Sequence, residues 1–268
     1  MNILSLEFLR SLVAESFKLK RTPILWLSLI GGVTSAIVVF LLFFFLIDEF
    51  IELNKNPWAR YFQLSFNLLS TLLLIPYVIL VNSSIVQSEH NSNSWKYLYA
   101  LPVKKSSIYF PKLLMTIALV ALTLVIFFVT SVLGGYLLGV LRPEYEFNNY
   151  PMHGDLWMGL LVHAFLSILG VTAIQYWISI RWKNYIIPIG IGMMGFIFSI
   201  LVVDEEKFAI YLPYCYSMFV SQQLDFEEIF NSGKVATENF RFIEWYSLIC
   251  FVVFSLIGFY EQKIRNVK

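Results

Sequence analysis

The residues with the most chemistry to offer lie in one polar segment, QSEHNSNSWKYLYALPVKKSSIYFPK, from Gln87 to Lys112. Their types suit binding better than bond making. Asn91 to Ser94 supply capping side chains, and Trp95 to Leu101 reads as a short helix that Pro102 stops, because the residue before a proline is pushed out of the helical region. On that helix Trp95, Leu98 and Tyr99 are three and four residues apart, so they share one face and form an aromatic anchor able to seat in a partner's groove. Lys96, Lys104 and Lys105 surround the anchor with positive charge. Taken alone, the segment is more simply a loop holding lysines for topology and an aromatic for the interface.

Bond-making constellations are missing elsewhere. No Gly-x-x-x-x-Gly-Lys-Ser/Thr loop occurs, so ATP cannot be bound in the P-loop manner. There is no His-Glu-x-x-His zinc pair, and His90, His153 and His163 fall in three different compartments of the expected topology. The Gly-x-Ser-x-Gly elbow of the serine hydrolases is also lacking. The chain is therefore expected to have no catalytic, cofactor or metal residues of its own. Asn67, Asn82, His163 and Gln175 are the chief polar groups within apolar runs, where they must face other helices or water. They could line a substrate path, although such groups more often bond a neighbouring helix.

These residues are carried on elements dictated by an unusual composition. Hydrophobic residues make up 58% of the chain and charged residues 14%, with a mean hydropathy of +0.71, so lipid is the expected solvent for most of it. About 20 apolar residues cross a hydrocarbon core as a helix. Six runs qualify, about 23–47, 62–86, 113–141, 156–180, 185–203 and 243–260. They are continuously apolar, which excludes the alternation of a β-barrel.

The nineteen Lys and Arg residues divide between alternate gaps. Thirteen, including Arg10, Lys18, Arg21, Lys96, Lys104, Lys105, Lys112, Arg181 and Lys263, fall on the side of both termini. Six fall on the other, with acids such as Asp48, Glu49, Glu52 and Asp204. Cations are retained on the cytoplasmic side, so both ends are expected in the cytosol, compatible with a bacterial inner (cytoplasmic) membrane. The net charge of +1 gives no support to nucleic-acid binding.

Residues 1–22 are expected to be kept rather than cleaved as a signal, since the run from Pro23 is too long and no Ala-x-Ala site follows. On a helical wheel Glu7, Arg10, Ser11, Glu15, Lys18 and Arg21 share one arc and Leu6, Phe8, Leu9, Leu12, Val13, Phe17 and Leu19 the other. Such a helix lies along the membrane surface among the lipid headgroups; the alternative is a soluble extension or a lead-in turn. Small residues recur every four positions at Ser28, Gly32, Ala36, at Ser131, Gly135, Gly139 and at Gly195, Ser199, which favours packing within one subunit over a dedicated dimer face. FAIYLPYCYSMFVSQQ, between the last two runs, is too short to span and reads as a re-entrant or interfacial hairpin, with Tyr211, Pro213, Tyr214 and Tyr216 at headgroup level. The two cysteines, Cys215 and Cys250, are expected to lie too far apart in depth to pair.

With these parts assembled, the chain resembles the permease subunits of type-2 ATP-binding-cassette (ABC) transporters. Glu89 closes the second run, Trp95, Lys96 and Leu98 follow, then Leu101, Pro102, Val103 and Lys104, and Lys112 opens the third. The short motif is degenerate, and specificity comes from its combination with the amphipathic helix, six spans and the hairpin. Within the family the flavour is that of lantibiotic-immunity and bacitracin-type export permeases.

The resemblance implies an all-α polytopic fold, with six transmembrane helices in a domain over 23–268. It also implies that 95–101 is a cytosolic coupling helix seated on a separate ABC ATPase, which alone holds ATP and Mg. Glu89, Trp95, Lys96, Leu98, Tyr99, Leu101, Pro102, Lys104, Lys105 and Lys112 would form the coupling surface, with Arg10, Glu15, Lys18 and Arg21 of the interfacial helix passing on its motion. A second permease, identical or related, and membrane lipid complete the expected partners. The expected cargo is amphiphilic, an antimicrobial peptide, drug or lipid-like compound. The alternatives are the membrane subunit of a sensory or resistance complex that signals to a kinase, and a membrane-embedded enzyme.

Overall fold

The computed structural model describes residues 3–20, 22–46, 56–91, 104–222, Phe226, Ile229 and 240–264. Among these, regular structure is helical throughout: α1 (Ile3–Leu19), α2 (Ile24–Phe45), α3 (Pro57–Leu68), a π-helical turn (Leu69–Leu73), α4 (Leu74–Asn91), α5 (Ser106–Leu141), α6 (Gly154–Arg181), α7 (Ile186–Val202), α8 (Tyr216–Gln222) and α9 (Phe240–Ile264). Among the described residues, five continuous helices are long and apolar enough to cross a membrane: α2, the α3 to α4 rod, α5, α6 and α9. α7 is apolar too but only 17 residues long. The second, third, fourth and sixth expected runs fall inside these helices, which extend past them by several residues because hydropathy marks where lipid ends, not where the backbone stops; the first and fifth runs, 23–47 and 185–203, reach slightly beyond α2 and α7. The start of α5 at Ser106, seven residues before the apolar run, is the largest such extension.

The π turn has a local cause. Pro76 lies in the first turn of α4 and has no N–H to return to the preceding turn, and the helix widens just before it. The break at Pro76 thus takes the form of a wide turn. Its loosened Ser70 carbonyl receives the Ser217 hydroxyl of α8 at 3.1 Å.

The small residues work inside the chain. A Cβ on Gly32 of α2 would meet the Thr123 carbonyl of α5 at 2.6 Å, and one on Gly195 would meet the Tyr214 ring at 3.1 Å. Gly135 lies against the Trp58 ring and Gly139 against Phe147 and Asn148.

α1 and the ends of α4, α6 and α9 share one end of the bundle. The opposite end is an aromatic block. Trp58 meets Phe147 edge-on at 5.1 Å and Trp157 at 5.9 Å, and Phe62 lies 3.7 Å from Trp157 between centroids. Trp58 also donates its indole N–H to the Phe147 carbonyl at 3.0 Å.

From this opposite end the hairpin turns back into the bundle. Residues Tyr214 to Ser221 are buried, so two of the tyrosines expected at headgroup level lie inside the protein. Each has a partner there: Tyr214 donates to Gln175 Oε1 at 3.1 Å, and Tyr216 donates to the Ile210 carbonyl at 2.8 Å. Tyr211 alone of the three remains exposed. Both cysteines are free thiols.

Candidate functional site

At the α1 end, four charged side chains from three helices close into a ring. α1 is amphipathic but its apolar arc is divided: Leu9, Val13 and Phe17, four residues apart, are exposed, while Phe8, Leu12 and Leu19 are half-buried. That rotation turns Glu15 toward the bundle. The Lys18 ammonium donates to Glu15 Oε1 at 2.7 Å and to Glu89 Oε1 at 2.8 Å. The Lys112 ammonium donates to the same Glu89 oxygen at 2.7 Å and to Glu15 Oε2 at 2.9 Å.

Each cation thus touches both acids. Lys112 is 1% exposed, Glu89 3% and Glu15 12%, whereas Lys18 is 43% exposed, so three of the four charges are held without much water. Charges so placed are tolerable only when paired and hydrogen-bonded. Burial alone would raise the Glu15 pKa, but Lys112 and then Lys18 outweigh it and hold the carboxyl below its ordinary 4.5. For Lys18, burial pulls downward, and Glu89 and Glu15 reverse it, lifting the ammonium above 10.5.

The ring lies astride one segment of chain. Glu89 is near the end of α4 and Lys112 in the second turn of α5, so the two flank residues 92–103, and Glu15 and Lys18 add the surface helix. Trp95, Lys96, Leu98, Tyr99, Leu101 and Pro102, like Arg21 of the basic arc, lie outside the described residues. Lys104 is exposed. Lys105 donates to the Lys263 carbonyl at 2.9 Å and lies 3.5 Å from that of Gln262, a cation on the last carbonyls of α9, where helix ends favour one. Arg10 is exposed.

The four polar residues considered for a path are not hydrogen-bonded to one another among the described residues. Gln175 is fully occupied, donating to the Pro188 carbonyl at 2.7 Å while accepting from Tyr214. Asn82 donates to the Val78 carbonyl at 2.8 Å. Asn67 is half-buried on α3. His163 of α6 pairs through Nδ1 with Glu244 of α9. This acid was missed in the sequence, although its place as second residue of the last apolar run was a usable signal. Among the described residues no group of His, Cys, Asp and Glu could hold a metal.

Comparison with known families decides the permease resemblance. Residues 11–199 match the ABC-2 family transporter protein. The chain belongs to the ABC-2 transporter family. The match takes in Glu15, Lys18, Glu89 and Lys112. An ABC-2 chain is a multi-pass membrane component of a transport system, in a family that generally works with a cytosolic ATPase. No curated protein and no solved structure matches this ABC-2 chain.

Proposed function

We propose that this ABC-2 chain is the permease of an ATP-driven exporter in the cytoplasmic membrane, with six spans and both termini in the cytosol. A separate ABC ATPase binds ATP and Mg, seats on residues 95–101, and drives export of an amphiphilic peptide, drug or lipid-like molecule through a path made with a second permease. α7 serves as the sixth span, with α8 folded back beside it.

The observation that carries this reading is the closed ring of Glu15, Lys18, Glu89 and Lys112. A push on the segment between Glu89 and Lys112 moves both of its flanks, and the ring hands the displacement to α1 and into α4 and α5 at once. Rigid helices joined by short, buried, charge-assisted bonds transmit motion with little slack. The exposed Leu9, Val13 and Phe17 stripe gives α1 a lipid surface to slide on.

Two variants test separate halves of the proposal. Trp95→Ala with Lys96→Glu is expected to leave membrane insertion intact and release the ATPase from a mild-detergent pull-down. Lys112→Met with Glu89→Leu is expected to retain the ATPase but abolish the change in its hydrolysis rate that the permease causes. Unchanged co-purification in the first, or unchanged rate control in the second, would sink the corresponding half.

A further inference from the structure

The ends of α6 and α9 border an open cavity that the coupling reading does not use. It has a volume of about 500 Å³, is open to the outside, and is lined by Arg181, Trp182, Tyr260, Glu261 and Ile264. This lies within the range of small-ligand sites. At its side a narrower crevice shares Arg181 and Glu261 and adds Trp177, Gly258 and Gln262.

Three features point to a ligand. The Arg181 guanidinium stacks near Trp177 and Trp182, 5.6 and 5.2 Å from their centroids, but its approach to Glu261 is 3.7 Å, too long for a hydrogen bond. Its fork of donors is therefore unspent among the described residues. Gln262 is 2% exposed, yet both its side-chain nitrogen and oxygen lack a partner among the described residues, a costly state unless something else supplies one. Glu261 accepts one bond, from the Trp177 indole at 2.8 Å, and keeps its other oxygen. The cavity thus offers a cation whose donors make no hydrogen bond among the described residues and a half-used anion, with the unsatisfied amide in the crevice beside it.

Its depth is equally informative. Arg181 and Glu261 directly follow the apolar runs ending at Ile180 and Tyr260, so the cavity opens at the level where hydrocarbon gives way to headgroups. Trp177, Trp182 and Tyr260 are the residue types that occupy that level.

We propose that this cavity binds the headgroup of a zwitterionic phospholipid of the phosphoethanolamine type. The phosphate takes the Arg181 fork, which matches its oxygens in pairs. The ammonium donates to the Glu261 carboxylate, and the acyl chains leave past Tyr260 toward the hydrocarbon. A purely anionic headgroup would leave Glu261 uncompensated. A choline headgroup has no N–H to give.

The full-length chain, purified in mild detergent with added lipid, is examined by native mass spectrometry. Phosphatidylethanolamine is expected to be retained about tenfold better than phosphatidylglycerol or phosphatidylcholine, the scale of one charge-assisted bond. Arg181→Ala, at a half-exposed position, should reduce that preference about tenfold, and Glu261→Gln should weaken retention of phosphatidylethanolamine alone. Equal retention of the three lipids, or an unchanged preference in Arg181→Ala, overturns the proposal. So does displacement of the lipid by equimolar soluble glycerophosphoethanolamine, which would assign the cavity to a free phosphoester.

Discussion

The two ends of the bundle are held by opposite means. Opposite α1, Trp58, Phe62, Phe147 and Trp157 interlock through ring contacts that have many near-equivalent partners and no single essential bond. At the α1 end, Lys112, Glu89, Glu15 and Lys18 depend on four short bonds among charged atoms. Close packing resists any displacement, because interiors have no spare volume. A charge ring behaves differently: it is rigid while closed and can reopen as a unit when its partners are moved. One end is suited to stay fixed while the other responds.

That contrast can be broken most forcefully at the packed end. Trp58→Ala should cost about 3–5 kcal/mol, measured as a loss of thermal stability in detergent, with the ATPase-dependent response kept in whatever fraction still folds. At the ring, Lys112→Met should cost about 3 kcal/mol, the lower end for one half of a buried ion pair, because Lys18 still faces both acids. Adding Glu89→Leu should then restore most of the stability, since the uncompensated charge is gone. A second truncation in the aromatic block should only add to the first. If both double variants behave alike, the two ends do not differ in kind.

Smaller effects sharpen the comparison. Ser217→Ala, which strips the hydroxyl from the loosened Ser70 carbonyl, should cost about 1 kcal/mol and raise hydrogen exchange in the π turn without disturbing α1. Smallest are the pH limbs of the ring. Glu15 is held below 4.5, so its contribution is complete above that pH and fades as acid passes through its folded-state value. Lys18 is held above 10.5, so its share is complete below that pH and fades in stronger alkali. Each limb should stay under about 1 kcal/mol, because Lys18 is partly in water. Proteolytic protection of α1 should be flat between the limbs and fall outside them.

The parts of the molecule that sequence reasoning reached are those decided by solvent. The apolar runs located the helices because a lipid solvent leaves a continuous mark on the sequence. All four ring residues were also singled out, Glu89 and Lys112 from the motif around them and Glu15 and Lys18 from the helical wheel. That they meet was not legible, since the rotation of α1 about its axis is set by which half of its apolar arc packs on the protein. Tyr214 and Tyr216 were placed at the surface for a similar reason: composition alone cannot tell a protein interior from an interface that welcomes the same aromatic residues. The π turn leaves no hydropathic trace, because it changes hydrogen-bond spacing and not polarity.

Because two carboxylates balance two ammonium groups, the ring carries no net charge. A net elementary charge moved across a bilayer exchanges roughly 2.3 kcal/mol with every 100 mV of potential; the ring moved as a unit exchanges almost none. The ring itself is therefore neither driven nor held back by membrane voltage if it shifts. Its four charges would add nothing to a gating current.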